Sequence, residues 1–359
     1  MVLLKKVPIN KDQWNIGLAL LFIWSLIVGV INLSLPSFAA SFVIFFYLCT
    51  SIFLQNYCHN ESKIEKLCRQ LVFFSFLSAI LGIIEKIVQL YFNYNIWPII
   101  MNYKRLPIFN DRIYSTFENP NVAGNWFAIM ILIGLHFSST TNKATAKSTK
   151  LFYQTATLFF VIALYLSGSR GAFMGLLIGL FIFFLLKGNK KDIWLFVSIF
   201  ILTALVTFSP SQLLENLTGH NFDSSLDSRL GIWNGCLQMI KLKPVTGWGL
   251  TGITEHGASF MHDFYYATLY HGHNIWLTIL TSLGIVGLCI YAYMKVNLFK
   301  NLRFLYTKNC PLVPMLAGIQ AIIIGHGIVD FTIIAPQTGL LFIASSAITS
   351  VLAKQYHNS

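Results

Sequence analysis

Apolar residues fill most of the chain in runs of about 18 residues or more, interrupted by short clusters of Lys, Asn, Ser, Gly and Pro. Each run is long enough to cross a hydrocarbon layer of about 30 Å as an α-helix. The runs and their breakers predict helices over 14–34, 37–57, 70–92, 122–138, 151–167, 171–186, 192–209, 274–294, 311–332 and 336–353. The runs are continuous rather than alternating, which argues against a β-barrel, and a helix pairs its backbone polar groups within itself. The expected fold is all-α and integral to the membrane, a single polytopic domain over 1–359 with about ten transmembrane helices.

Two polar stretches, 93–121 and 210–273, are too long to be simple connectors, and loops of that length are usually functional or disordered. The second contains Trp233, Trp248, Phe260, Phe264, Tyr265, Tyr266 and Tyr270, an aromatic content that speaks against disorder. Within it Leu230, Trp233, Leu237 and Ile240 recur at helical spacing. They predict an amphipathic helix that starts at Asp227, stops by Pro244 and lies along the membrane surface.

Composition agrees: 55% of residues are hydrophobic, 11% are charged and the mean hydropathy is +0.65. Soluble domains carry about 25% charged residues. The net charge of +12 does not point to nucleic acid, because the basic residues sit in short loops between apolar runs. That placement is the positive-inside pattern. It puts both termini in the cytoplasm and the 93–121 and 210–273 segments on the extracytoplasmic face. The run after Lys5, Lys6 and Lys11 is long for a signal peptide and reads as an uncleaved first helix. The six cysteines show no CxxC pair and no disulfide framework.

Arginines on the extracytoplasmic side run against the charge bias, so they are candidates for function. Arg112 precedes the Asn119-Pro120-Asn121 turn that opens a helix, Arg170 sits in the tight turn Ser167-Gly-Ser-Arg-Gly171, and Arg229 opens the amphipathic helix. Each lies beside a predicted helix N-terminus, where free N–H groups and the dipole favour an anion. If these ends converge they form a diphosphate site; the alternative for any one arginine is a headgroup contact or a structural ion pair.

His273, in Tyr270-His-Gly-His-Asn274, could accept a proton at neutral pH, or could simply cap the helix that follows. A metal site from His271, His273, His262, Asp263, Glu255 and His256 matches no zinc spacing. Glu85, Lys86 and Asp330 lie within apolar surroundings, where ionisable groups are costly; Asp330 could hold an arginine or orient a substrate, and a buried structural pair is the alternative for all three.

Taken in order, Arg112 with Asn119-Pro-Asn121, Ser167-Gly-Ser-Arg-Gly171, Arg229 with Trp233, Pro244 with Gly247-Trp-Gly249, and His273-Asn-Ile-Trp-Leu277 with Gly284 and Gly287 resemble the O-antigen ligase and surface-polysaccharide polymerase superfamily of membrane glycosyltransferases. The resemblance covers roughly residues 110–345. It implies a GT-C-like fold in a bacterial cytoplasmic membrane and transfer of a glycan from an undecaprenyl-diphosphate carrier to a glycan or lipid-glycan acceptor, with polysaccharide assembly proteins as further partners.

By the same likeness Arg170 and Arg229, assisted by Arg112, would hold the diphosphate and His273 would activate the acceptor hydroxyl, with neither cofactor nor metal. Asn121, Ser169, Trp233, Asn274 and Asp330 would support them. Polymerisation of repeat units is expected over ligation of a finished chain, as in exopolysaccharide or lipopolysaccharide assembly, because no extra outer domain is evident for a bulky second acceptor. A transporter of lipid-linked sugars and a non-catalytic assembly partner are the other classes; the polar residues gather at one face rather than along the midplane, unlike a transporter.

Overall fold

Residues 12–92, 112–140, 147–188, 223–262 and 269–358 are described by a computed structural model. The predicted helix over 192–209 and most of the 93–121 segment, including Lys104 and Arg105, lie outside these residues. Eleven α-helices occur among the described residues: α1 (Gln13–Ile31), α2 (Leu35–Tyr57), α3 (Glu61–Phe92), α4 (Pro120–Thr140), α5 (Lys147–Leu166), α6 (Arg170–Lys187), α7 (Asp223–Leu242), the short α8 (Gly252–His256), α9 (Ile275–Thr307), α10 (Val313–Gly327) and α11 (Pro336–Asn358). Eight are long and apolar enough to cross a membrane, α10 is a shorter apolar helix, and no strand is present among the described residues. The chain is an all-α integral membrane protein.

Lipid is as apolar as leucine, so burying apolar surface does little to hold such helices together, and packing and polar contacts do more. Accordingly α1 turns Ile16, Leu20, Ile23 and Ile27 outward and buries Asn15. The Asn15 side chain donates to Gln55 Oε1 at 2.8 Å and accepts from the Ser51 hydroxyl at 2.7 Å, joining α1 to α2. Helices α4 and α11 are the most enclosed, with Phe127, Ile129, Met130 and Leu132 of α4 fully buried. The closest pairing is α6 on α10, where Gly171, Gly175 and Gly179 admit His326 and Ile322 against the α6 backbone. This contact sets the start of α6, and hence Arg170, beside Val329 and the end of α10.

Helices α3, α9 and α10 differ from the sequence expectation, as does α7 below. Helix α3 starts at Glu61, well before residue 70, because Asn60 caps it by accepting from the Lys63 N–H at 2.9 Å. Helix α9 runs on past 294 because Lys295 is buried and donates to Gln320 at 2.7 Å rather than ending the span. The predicted span 311–332 is the 15-residue α10, about 22 Å long, too short for the hydrocarbon layer. Beyond it, residues 328–335 form an irregular link containing the 3-10 turn Thr332–Ile334. The Asp330 carboxylate accepts its neighbour's Phe331 N–H at 2.8 Å, and the Asn274 side chain donates to the Ile328 carbonyl at 2.8 Å. Backbone outside a helix survives at such depth when the protein itself satisfies it.

Helix α7 begins one turn earlier than expected, so Arg229 stands in its second turn. Its buried face is Ile232, Cys236 and Met239, packed on Ile253, Met261 and Leu269. The predicted stripe is the other apolar face: Leu230 and Leu237 are exposed, while Trp233 and Ile240 are half-buried. Two apolar sectors share one helix, and periodicity alone could not say which one meets protein.

Helix α9 is broken at Gly284, where φ is +65° and ψ is −169°. The break exposes backbone groups that the 244–249 segment uses: Ile285 N–H donates to Pro244 O at 2.9 Å, Trp248 N–H to Thr281 O at 2.9 Å and Gly249 N–H to Ser282 O at 2.8 Å. A Cβ at 284 would run into the Val245 carbonyl. This interlock is the physical content of the Pro244, Gly247-Trp-Gly249 and Gly284 motif. Gly284→Ala should therefore lower stability by on the order of 3 kcal/mol, read as the heat-denaturation midpoint in detergent. Gly188→Ala, at φ +75° in open space, should cost only about 1 kcal/mol, and equal tolerance at both positions would contradict the interlock.

Candidate functional site

Asp330, in the link after α10, is buried and forms the hub of a polar cluster. Its Oδ1 lies 3.1 Å from His273 Nδ1 and its Oδ2 accepts from the Asn121 amide at 2.7 Å. His271 Nε2 stands 3.8 Å from Oδ1 and His326 Nε2 stands 4.0 Å from Oδ2. Burial alone would raise the Asp330 carboxyl; the His273 hydrogen bond and the surrounding imidazoles outweigh it and hold the group well below the usual carboxylate range. An ionised carboxylate only accepts, so the hydrogen between them belongs to His273 Nδ1. In the neutral imidazole this tautomer carries its lone pair on Nε2, the arrangement in which an aspartate orients a histidine for proton acceptance.

The loop geometry supports the same orientation. His273 adopts φ +47°, uncommon for a residue with a side chain, and its backbone N–H donates to His271 Nδ1 at 3.1 Å. Its carbonyl accepts from Trp233 Nε1 at 3.4 Å, which ties the loop to α7. Asn274 caps α9 by accepting from the N–H groups of Trp276 and Leu277 at 2.9 and 3.0 Å. Helix α9, the 328–335 link and α7 thus converge on one histidine.

Arg112 reaches this cluster through Asn121. Its Nε donates to the Ser167 carbonyl at 2.6 Å and its terminal NH2 group donates to Asn121 Oδ1 at 2.6 Å, while Asn121 in turn donates to Asp330. Burial lowers the proton affinity of the Arg112 guanidinium; Tyr114 and Asp330 oppose this, and the charges of Arg170 and Arg229 add to it. Arg170 and Arg229 also act on one another. Arg170 is exposed as the first residue of α6, with Ser169 as its N-cap accepting from the Ala172 N–H at 3.4 Å, and Arg229 is half-buried. Three like charges within electrostatic reach of one another favour an anion between them.

The sequence-predicted residues Arg112, Asn121, Trp233, His273, Asn274 and Asp330 are joined by hydrogen bonds into one assembly, and Arg170 and Arg229 are coupled to it through charge. Glu255, His256 and His262 take no part in a ligand set with His271 and His273; Glu255 accepts from Ser34 and Thr251, and His256 packs on Trp248. Asp263 lies outside the described residues. Instead His271, His273 and Asp330 have ligand atoms within 4.8 Å of one another. Within that cluster His271 Nδ1 accepts the His273 backbone N–H at 3.1 Å and His273 Nδ1 is bonded to the carboxylate.

His271 and His326 were not read from sequence as partners of Asp330. For His326 a signal existed, the i, i+4 spacing with Asp330 in Gly325-His-Gly-Ile-Val-Asp330. Burial lowers the His271 imidazole to about 4, against the pull of Asp330, so it is neutral at physiological pH. In the unfolded chain it would titrate near 6.5. Between about 6.5 and 4 the unfolded state therefore binds more protons, and stability present at higher pH is lost as pH falls through that window. His271→Asn, which keeps an acceptor for the His273 N–H, should flatten the decline of the thermal midpoint between pH 6.5 and 4.5. An unchanged slope would dismiss His271 as its source.

Comparison with known proteins bears on the same segment. A family model described as O-antigen ligase matches residues 155–292. An uncharacterized Haemophilus influenzae protein is 32% identical over 212 residues, covering 53% of this chain and 52% of that protein. Provisionally named polysaccharide ligases of Rickettsia typhi and Rickettsia felis are each 26% identical over 186 residues, covering 47% of this chain and 45% of theirs. The chain spans about half the length of the curated relatives it matches. The family match runs through Ser167–Gly171, Arg229, the interlocked 244–249 segment and His273, so this part of the chain is similar to the O-antigen ligase family.

Proposed function

We propose that the protein transfers a glycan from an undecaprenyl-diphosphate-linked donor to a sugar hydroxyl at the extracytoplasmic face of a bacterial cytoplasmic membrane, with inversion at the anomeric carbon. The observation that carries the reading is the 3.1 Å contact of His273 Nδ1 with buried Asp330, set beside three coupled arginines. The acceptor oxygen attacks the anomeric carbon and gives its proton to His273 Nε2. The bond from that carbon to the diphosphate oxygen breaks, and its electron pair leaves with the lipid diphosphate. Arg170 and Arg229, with Arg112, offset the charge that develops there. Asp330 stabilises the imidazolium as it forms. The scheme uses neither a nucleotide sugar nor a metal.

A lipid-linked donor is further supported by an apolar groove of about 570 Å³ between α6, α9 and α10. It runs from Gly325 and Ile328, next to the Asp330 link, to Arg303 and Tyr306 near the far end of α9, and would receive an isoprenoid tail. The orientation of this reading is supported by charge: Lys63, Lys66, Arg69, Lys187, Arg303, Lys308 and Lys354 lie toward the helix ends opposite the site, as the positive-inside pattern expects of cytoplasmic ends.

The acceptor separates two products. Repeat-unit polymerisation is the expectation from sequence, whereas the names of the family and of the Rickettsia relatives point to ligation. A gel ladder decides: loss of a polymerase leaves single units, and loss of a ligase leaves long chains on the carrier.

With purified protein in nanodiscs and a lipid-linked glycan, His273→Ala should cut turnover by about 10²- to 10⁴-fold with folding intact. Asp330→Asn should cost at least about 10²-fold, since the imidazolium loses its counter-charge. Near-normal transfer by either folded variant removes the dyad from the reaction. Arg170→Lys keeps the charge but loses the planar fork, and should lose most activity; full activity would show that a point charge suffices.

A further inference from the structure

Helix α3 lies outside the segment matched by the family model. It nevertheless presents Ser75, Ser78, Gly82 and Glu85 along one stripe, at i, i+3, i+7 and i+10. All four are buried, in a helix whose other faces expose Phe74, Leu77, Leu81 and Ile84. A buried carboxylate in such a helix is costly unless it is well partnered. The partners identify its role: Glu85 accepts from the Tyr114 N–H at 3.1 and 3.2 Å and from the Ser115 N–H at 2.7 Å.

Ser115 has φ +56°, and a backbone that enters the left-handed region can turn consecutive N–H groups toward one anion. Below Glu85 the same turn is gripped again. The Ser115 hydroxyl donates to the Ser78 carbonyl at 2.6 Å, and the Ser78 hydroxyl lies 2.7 Å from that of Thr116. A side chain at position 82 would fall 2.8 Å from Ile113 and 3.0 Å from Ser115, so the close seating depends on Gly82. Residues 113–116 are thus clamped to α3 by the carboxyl–backbone hydrogen bonds, a hydroxyl pair and steric fit.

The clamped turn lies between the two residues that connect the arginine cluster to the histidine. Arg112 precedes it and Asn121 follows it, and these two bond each other at 2.6 Å, with Asn121 passing the contact to Asp330 at 2.7 Å. We infer that Glu85 is a positioning residue for the transfer reaction: through the Tyr114–Ser115 turn it fixes Arg112 in the anion site and Asn121 against Asp330. The inference rests on the proposed function, since it assigns Arg112 to the donor diphosphate. Glu85 is 4% exposed, and besides the two backbone N–H groups it accepts from the Gln89 amide at 3.4 Å; its place in the reaction is through the turn. A misplacement of about 1 Å away from the chemistry can cost about 10²-fold in rate, so loss of this anchor should appear in turnover.

The test is a mutant cycle in nanodiscs with a lipid-linked glycan, combined with hydrogen exchange on the same proteins. Glu85→Gln keeps the shape and one acceptor oxygen and should reduce transfer about 10-fold; Glu85→Leu keeps bulk without an acceptor and should reduce it about 100-fold. On an Arg112→Ala background either change should cost less than about 3-fold, because residues acting through one another are not additive. Exchange at the Tyr114 and Ser115 amides should quicken in folded Glu85→Gln, while amides of α10 and α11 stay as in the unaltered protein. If Glu85→Leu does not fold, Glu85→Gln carries the cycle alone. Equal losses on both backgrounds, with Arg112→Ala itself impaired, or unchanged exchange at the two amides, would overturn the role of Glu85 and leave the proposed function standing. Normal transfer by Arg112→Ala would remove Arg112 from the anion site and the inference with it.

Discussion

The buried carboxylate of Asp330 is the constraint around which the site is arranged. Asp330 cannot stay charged there without donors, because an uncompensated charge taken out of water costs several kcal/mol. Its donors come from widely separated parts of the chain: His273 ahead of α9, Asn121 at the start of α4, and the adjacent Phe331 N–H. Satisfying one residue therefore brings together three segments. The short α10 follows from the same requirement, since a helix continued to residue 332 would hold the Phe331 N–H in its own ladder and withdraw that donor.

Charge around the hub is uneven. Arg112, Arg170 and Arg229 act on one another, and Asp330 offsets part of that charge at Arg112. In water this charge would be screened within about 10 Å, whereas among packed apolar helices it persists. An anion is the natural complement, and the donor diphosphate of the proposed reaction would supply it. The two histidines take different parts: His271 accepts the His273 backbone N–H on Nδ1, and His273 Nδ1 is bonded to the carboxylate.

The membrane-spanning architecture was legible because lipid imposes a length and an apolarity that the eye can find in a string of letters. Helices α1, α2, α4, α5, α6 and α11 begin and end within a few residues of the expected limits. The departures have specific causes. Lys295 looks like a stop signal, yet a partner on another helix, Gln320, absorbs it. Leu230 and Leu237 look like the seam of α7 with protein, yet the seam is Ile232, Cys236 and Met239, because the segment 253–269 packs there. Of the site, the arginines and His273 stood out by residue type and by placement against the charge bias. The importance of His271, His326 and Glu85 did not, since each depends on what lies opposite it.

What the sequence determined by itself was the material and its order: apolar lengths that must span, polar breaks that must face water or protein, and a set of arginines and a histidine placed where charge bias disfavours them. These are local properties, legible one segment at a time. What only the tertiary structure decided was convergence. A hydrogen bond between His273 and Asp330 joins residues 57 positions apart, and the bond from Asn121 to Asp330 joins residues 209 apart. The break at Gly284, the end of α10 and the seating of residues 113–116 on α3 are likewise set by neighbours distant in the chain. The cost of a buried polar group is met by whatever the fold places against it, and the linear order of residues does not name that partner.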